Sequence, residues 1–261
     1  MSRSPKNDGK NRHKRSSHKN SKTSSRSHDW LYGRHAVLAA LTNTDRQIDL
    51  LHVTSNTLKD FSDPAQSRGL SANLSTTSEI SALLPPGAVH QGIAAKVRPL
   101  KEVSLDELPF DRPVLVLDQV TDPHNVGAIL RSAAVFNASA IIMTRRNSPP
   151  LTGVLGKSAC GALEHVDVIF VGNLSQTLKE LGKIGFWKIG LDGDAQNPLE
   201  VSAPGVSKNT PIALVLGAED KGMRRLTIEQ CDETCHITTK GQLASLNVSN
   251  AAAVALHIIS R

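Results

Sequence analysis

Apolar positions along the chain fall into two series separated by a polar, proline-bearing stretch. In the first, Ala36, Val37, Ala40 and Leu41 recur at helical spacing, and Asp49 to Thr54 has strand character. Glu79 to Leu84 then reads as a short helix stopped by Pro85-Pro86-Gly87, and Gly92 to Val97 closes the unit as a strand. In the second series, Val114 to Leu117 is a continuous apolar run, as expected of a strand covered on both faces, and helical periodicity follows from Val126 to Phe136. Further strands are predicted at Ala140–Met143, Val166–Val171, Trp187–Leu191 and Ile212–Leu216, with a helix over about Leu174–Leu181. The pattern ends in a short strand at Ile237, a Lys240-Gly241 turn, the polar Ser245, Asn247 and Ser249, and an alanine-rich helix. Strands alternating with helices predict an α/β fold with a mostly parallel sheet. Residues 99–112 carry two prolines and mixed charge and read as a linker. The expected division is a small α/β unit over 29–98, the linker, and a larger α/β domain over 113–261.

Charge adds a third region. Residues 1–28 hold nine Lys/Arg against one acid, Asp8, a formal +8; with +6 for the whole chain, the remainder sums to −2. That tail is almost free of apolar side chains and is expected to be disordered. A basic arm attracts polyanions, nucleic-acid backbone first, with a merely solubilising tail as the alternative. No apolar run approaches the roughly 20 residues needed to span a bilayer, and no apolar h-region follows the N-terminal charge. Neither membrane insertion nor secretion is expected. Three cysteines, Cys160, Cys231 and Cys235, imply reduced thiols in a cytoplasmic compartment. Cys231, Cys235 and His236 lie close together, but no second cluster completes a four-ligand zinc site, so no metal is expected. Aromatics at 3% disfavour a base-stacking platform.

Candidate chemistry sits at strand ends, where open α/β folds bind ligands. The first cluster runs from Asp118 through Asn125 and Gly127 to Arg131, and a guanidinium there suits a phosphate because its planar fork stays charged. The alternative is an ion pair between Arg131 and Asp118 or Asp122. The second, Leu216 to Met223, passes Gly217 and Glu219 into a turn at Gly222, and its alternative is a plain turn with solvated charges. The third holds Ser245, Leu246 and Asn247 at a strand-to-helix junction, where unpaired helix N–H groups suit a ligand oxygen. Capping of the last helix by Ser245 and Asn247 is the competing reading. No glycine-rich dinucleotide, P-loop, nucleophile-elbow or zinc-deaminase pattern is present.

In order and spacing the three clusters resemble the motifs of the SpoU/TrmH class of RNA ribose 2′-O-methyltransferases in the SPOUT superfamily. D-x-x-x-D-P-x-N-x-G-x-x-x-R is matched from Asp118 to Arg131, L-G-A-E-x-x-G-M from Leu216 to Met223, and S-L-N-V-S-x-A from Ser245 to Ala251. The stretch Gly156 to His165 is also similar, and Gly33–Leu41 with His90-Gln91-Gly92-Ile93 resembles the small RNA-binding domain of the large-subunit ribosomal RNA guanosine methyltransferases. The resemblance implies a catalytic domain with a deep trefoil knot, a homodimer with its active site near the subunit boundary, and S-adenosylmethionine bound at Gly217, Ile237 and Leu246. It implies methylation of a ribose 2′-hydroxyl, of guanosine in 23S ribosomal RNA, by Arg131, Asn125, Glu219, Ser245 and Asn247. The same chemistry on transfer RNA, or an inactive RNA-binding member of the fold, are the alternatives. One departure is Ile237-Thr238-Thr239, where the family has Ile-Pro-Met.

Overall fold

The computed structural model describes Met1 and residues 29–146, 148–205, 210–241 and 246–260. The basic arm over residues 2–28 and Ser245 lie outside the described residues. Among the described residues the strands form two sheets. The small unit runs β1 (Asp29–Tyr32), α1 (Arg34–Thr42), β2 (Ile48–Val53), α2 (Ser55–Ser67), β3 (Ala72–Leu74), α3 (Thr77–Ala82) and β4 (Ile93–Val97), with sheet order β1-β4-β2-β3. Helix α2 escapes the hydrophobic pattern because it buries only Thr57, Phe61 and Ala65 and carries Pro64 inside it. Residues 99–112 contain a 3₁₀ turn at Leu105–Glu107 and tuck Leu108, 3% exposed, under the larger sheet.

The larger unit runs β5 (Val114–Asp118), α4 (Pro123–Val135), β6 (Ala140–Thr144), α5 (Val154–Ser158), β7 (Asp167–Val171), α6 (Leu174–Lys183), β8 (Trp187–Leu191) and β9 (Asn197–Pro198). It continues through α7 (Leu199–Gly205), β10 (Ile212–Gly217), α8 (Arg225–Ile228), β11 (Glu233–His236) and α9 (Val248–Ile259). The sheet order is β7-β6-β5-β10-β8-β11-β9, and every neighbouring pair is parallel. Alternate residues of the central strands go to opposite faces. Leu115, Leu117, Ile141, Met143, Leu214 and Leu216 pack against α4 and α9, while Val114, Val116, Ile142 and Val215 pack against α6. Burial on both faces is why these strands read as unbroken apolar runs.

The strand expected at Ile237 is displaced. β11 ends at His236 and consists of polar residues around the buried Cys235, because its pairing with β8 and β9 runs only from Glu233 to His236. Ile237 follows it, half-buried against the core.

The two units meet through a buried ion pair. Arg46 of the small unit grips Glu164, just after α5, with N···O distances of 2.7 and 3.0 Å, and Asn43 Nδ2 donates to the same carboxylate at 2.8 Å. Their side chains are 6% and 1% exposed. Gly161 makes the approach possible: with φ +93° it has no Cβ, and one built there would stand 2.5 Å from Ala39 Cβ on α1. Among the described residues no helix is long and apolar enough to cross a membrane.

Candidate active site

Sheet order reverses between β5 and β10. The chain leaves β5 for β6 and β7 on one side and leaves β10 for β11 on the other, so the C-terminal ends of these two strands border a crevice of the kind that binds ligands in open α/β sheets. Asp118 ends β5 fully buried and is satisfied by Arg224, whose Nε and backbone N donate to it at 2.8 and 2.9 Å. This pair ties the turn after β10 to the end of β5. Arg224 was not among the expected site residues, although it directly follows Met223 of the second motif.

Strand β10 ends at Gly217, where a Cβ would lie 2.2 Å from Gly222 C and 2.3 Å from Met223 N. Only glycine lets the turn fold back this closely. Ala218 and Gly222 then exchange backbone hydrogen bonds at 2.8 and 3.2 Å. The turn delivers Glu219 to the last helix, where Glu219 Oε1 accepts from Val248 N at 3.0 Å and satisfies one of the unpaired N–H groups of α9.

Asn247 is the N-cap of α9, its Oδ1 accepting from Ser249 N at 2.9 Å. Its Nδ2 donates to Asn125 Oδ1 at 3.1 Å. Capping and a role across the site are therefore compatible. Asn125 lies in the first turn of α4 rather than starting it: the helix begins at Pro123 with Asp122 as N-cap, Oδ1 accepting from His124 N at 3.0 Å. Arg131 lies farther along α4 with Nη1 4.0 Å from Cys160 Sγ, and among the described residues it forms no hydrogen bond or ion pair with Glu219 or Asn247. It forms no ion pair with Asp118 or Asp122, since the first is taken by Arg224 and the second caps α4. One chain thus joins Asn125, Glu219 and Asn247 through hydrogen bonds in which Arg131 takes no part.

A cavity of about 400 Å³ opens beside this cluster, lined by all three residues expected to hold the cofactor, Gly217, Ile237 and Leu246. Asp192, Asp194, Met223 and Val248 also line it. Asp192 and Asp194 lie just beyond the predicted strand Trp187–Leu191, and that position at a strand end was the signal for them. At the departure from the family pattern, Thr238 N and Oγ1 donate to Glu200 at 3.3 and 3.2 Å, so the loop is held by a carboxylate on α7. Burial pushes the Cys231 thiol up to about 12 and raises that of Cys235, and His236 Nδ1 lies 3.0 Å from Ala195 O. Among the described residues no group of three or more His, Cys, Asp or Glu could share a metal ion.

A parallel sheet with three motif-bearing loops gathered at one switch point defines the class. Residues 112–257 match the SpoU rRNA Methylase family, and residues 30–103 match the RNA 2′-O ribose methyltransferase substrate binding model. The chain belongs to the SpoU rRNA methylase family. It is 40% identical over 236 residues to the 23S rRNA (guanosine-2′-O-)-methyltransferase RlmB of Photorhabdus laumondii, covering 87% of this chain and 95% of that protein. With the RlmB protein of Escherichia coli K12 it shares 37% identity over 238 residues, covering 87% and 96%. In fold it is similar to the SpoU methyltransferase AviRb of Streptomyces viridochromogenes, solved in complex with AdoMet, with a TM-score of 0.74, 20% identity and 88% of each chain covered.

Proposed function

We propose that the chain transfers a methyl group from S-adenosylmethionine to the ribose 2′-hydroxyl of a guanosine in 23S ribosomal RNA, in the cytoplasm and as a homodimer. The observation that carries this reading is the continuity of the 400 Å³ cavity at Gly217, Ile237 and Leu246 with the Asn125, Asn247 and Glu219 cluster. The curated relatives' guanosine-2′-O-methyltransferase names and the AdoMet complex of AviRb support it.

The cavity suits the cofactor. Gly217 offers bare backbone, Ile237 and Leu246 offer apolar flanks for a flat ring, and the lining acids Asp192, Asp194 and Glu219 complement a cationic ligand. When bound, S-adenosylmethionine supplies an electrophilic methyl group on a sulfonium. What remains for the protein is to hold the hydroxyl in line and to stabilise charge on its oxygen. Asn125 and Asn247 keep spare amide N–H groups after bonding one another, and Glu219 Oε2 accepts no hydrogen bond among the described residues, so it is open to the 2′-hydroxyl proton. Arg131 stays protonated and therefore grips the adjacent phosphate and the developing oxyanion rather than acting as a base. Arg131 makes no hydrogen bond to Glu219 within one chain, and in this reading it serves the site of the other copy in a homodimer. Ser245 joins the hydroxyl-positioning set, and residues 29–98 hold the RNA.

Mass mapping of ribose methylation in RNA from a strain lacking this chain tests the reading. One 23S nucleotide should lose its methyl group and regain it with purified protein and cofactor. Arg131→Ala should restore it at least roughly a hundredfold more slowly, with the cofactor's dissociation constant unchanged. A methyl group lost from a transfer RNA instead would give the activity to that substrate, and failure to bind the cofactor would leave an inactive RNA-binding fold.

A further inference from the structure

A second cavity lies on the same strand edge, in the crevice at the ends of β5, β6 and β10, with a volume of about 580 Å³. Ala218 lines both this cavity and the cofactor cavity, so the two share a wall at that residue, and Glu219 follows Ala218 directly. We propose that this second cavity seats the nucleotide whose ribose is methylated, a reading that rests on the function proposed above.

The two cavities differ in charge. Among the described residues no Lys or Arg lines the cofactor cavity, whereas Arg146, Lys221 and Arg224 line the second against one acid, Asp220. Arg224 is committed to Asp118, but among the described residues Arg146 and Lys221 form no ion pair. With Arg224 committed, Arg146 and Lys221 outweigh Asp220 by one positive charge, which repels a sulfonium and attracts a phosphate, for which a guanidinium and an ammonium are ordinary ligands. Leu117, Val120 and Met143 lie behind the walls, at 1%, 6% and 1% exposed, and Thr121, Thr144 and Ser148 make the lining largely polar. Gln119 completes the lining. It is held at φ +63°, a left-handed conformation unusual for a residue other than glycine, directly after Asp118. Its carboxamide carries a donor and an acceptor, which is what recognition of a base edge needs. An anionic group beside a body with polar edges describes an unpaired nucleotide. The volume falls in the usual range for such ligands, about 300–1,000 Å³.

The test uses the full chain and a 23S ribosomal RNA transcript, with RNA binding measured across a salt series and cofactor binding by calorimetry. The double variant Arg146→Ala/Lys221→Ala should bind RNA at least tenfold more weakly, with the slope of log affinity against log salt reduced by about 1.4 for two lost single-strand phosphate contacts. Gln119→Asn suits the left-handed backbone but retracts the carboxamide. It should weaken RNA binding severalfold and raise KM for RNA more than it lowers kcat, with the salt slope unchanged. Cofactor affinity should stay within twofold of wild type in both variants. Wild-type affinity and slope in the double variant would overturn the proposal. Loss in the double variant with none in Gln119→Asn would also overturn it, reducing the cavity to a patch that touches backbone alone. If the wild-type chain methylated no RNA, the proposed function would fall while the binding arms still decided whether this cavity holds a nucleotide.

Discussion

At Asn247 one carboxamide serves two partners, with Oδ1 capping α9 through Ser249 N and Nδ2 reaching across to Asn125. Serine caps helices as well as asparagine does but has no amide to donate. Asn247→Ser should therefore melt with the wild type while its turnover falls roughly tenfold, the scale of one lost hydrogen bond. Asn247→Ala should lose both, with about 1 kcal/mol of stability gone with the cap. Thermal melting and initial rates on the same preparations check this. Turnover fully retained by the serine variant would make the Asn125 contact a matter of folding only. The same double use explains why the residue types alone left two readings open: a cap and a site residue look identical in a sequence.

Among the elements, the turn from β10 to Glu219 depends on the bare backbone of Gly217. Gly217→Ala would push a methyl group into the backbone at Gly222 and Met223, which cannot yield as a flexible side chain would. Cofactor binding should be lost in a calorimetric titration, and the melting temperature should fall; an alanine variant with wild-type affinity would mean that the turn relaxes freely. The central strands were legible because Val114–Leu117 and Ile212–Leu216 are buried on both faces and so are apolar throughout. α2 and β11 were not, since α2 buries a single stripe and β11 is polar, held by its neighbours' pairing rather than by its own pattern. The site was legible to the same degree. Residues such as Asn125 and Glu219 sit next to strand ends that periodicity locates, whereas the partner of Arg131 depends on how α4 lies against Cys160, which spacing does not encode.

Across the whole molecule, the Arg46–Glu164 pair fixes how the small unit is presented to the larger one. Removing one partner of a buried pair leaves the other charge stranded, at a cost of about 3–5 kcal/mol, while replacing both by apolar side chains is often near neutral. Arg46→Met should lower the urea midpoint, and Arg46→Met/Glu164→Leu should recover most of the loss. Additive losses would show that the two charges are not coupled. At the same scale, deletion of residues 1–28 should flatten the salt dependence of RNA binding, because the chain's excess of positive charge lies there. An unchanged slope would assign the phosphate contacts to the two folded units.

The place of β10 between β5 and β8 governs the order in which the protein can come together. Its pairing joins Ala213 to Val114, partners 99 positions apart, and no local hairpin can substitute for a parallel contact of that span. Closing so long a loop is slow, and contacts of this kind form only once both segments have been made. Until β10 slides in, Leu216 has no partner in Leu117 and neither cavity has a shared wall at Ala218. On the proposed assignment of the two cavities, a chain in which β10 has not yet docked would capture neither methyl donor nor acceptor.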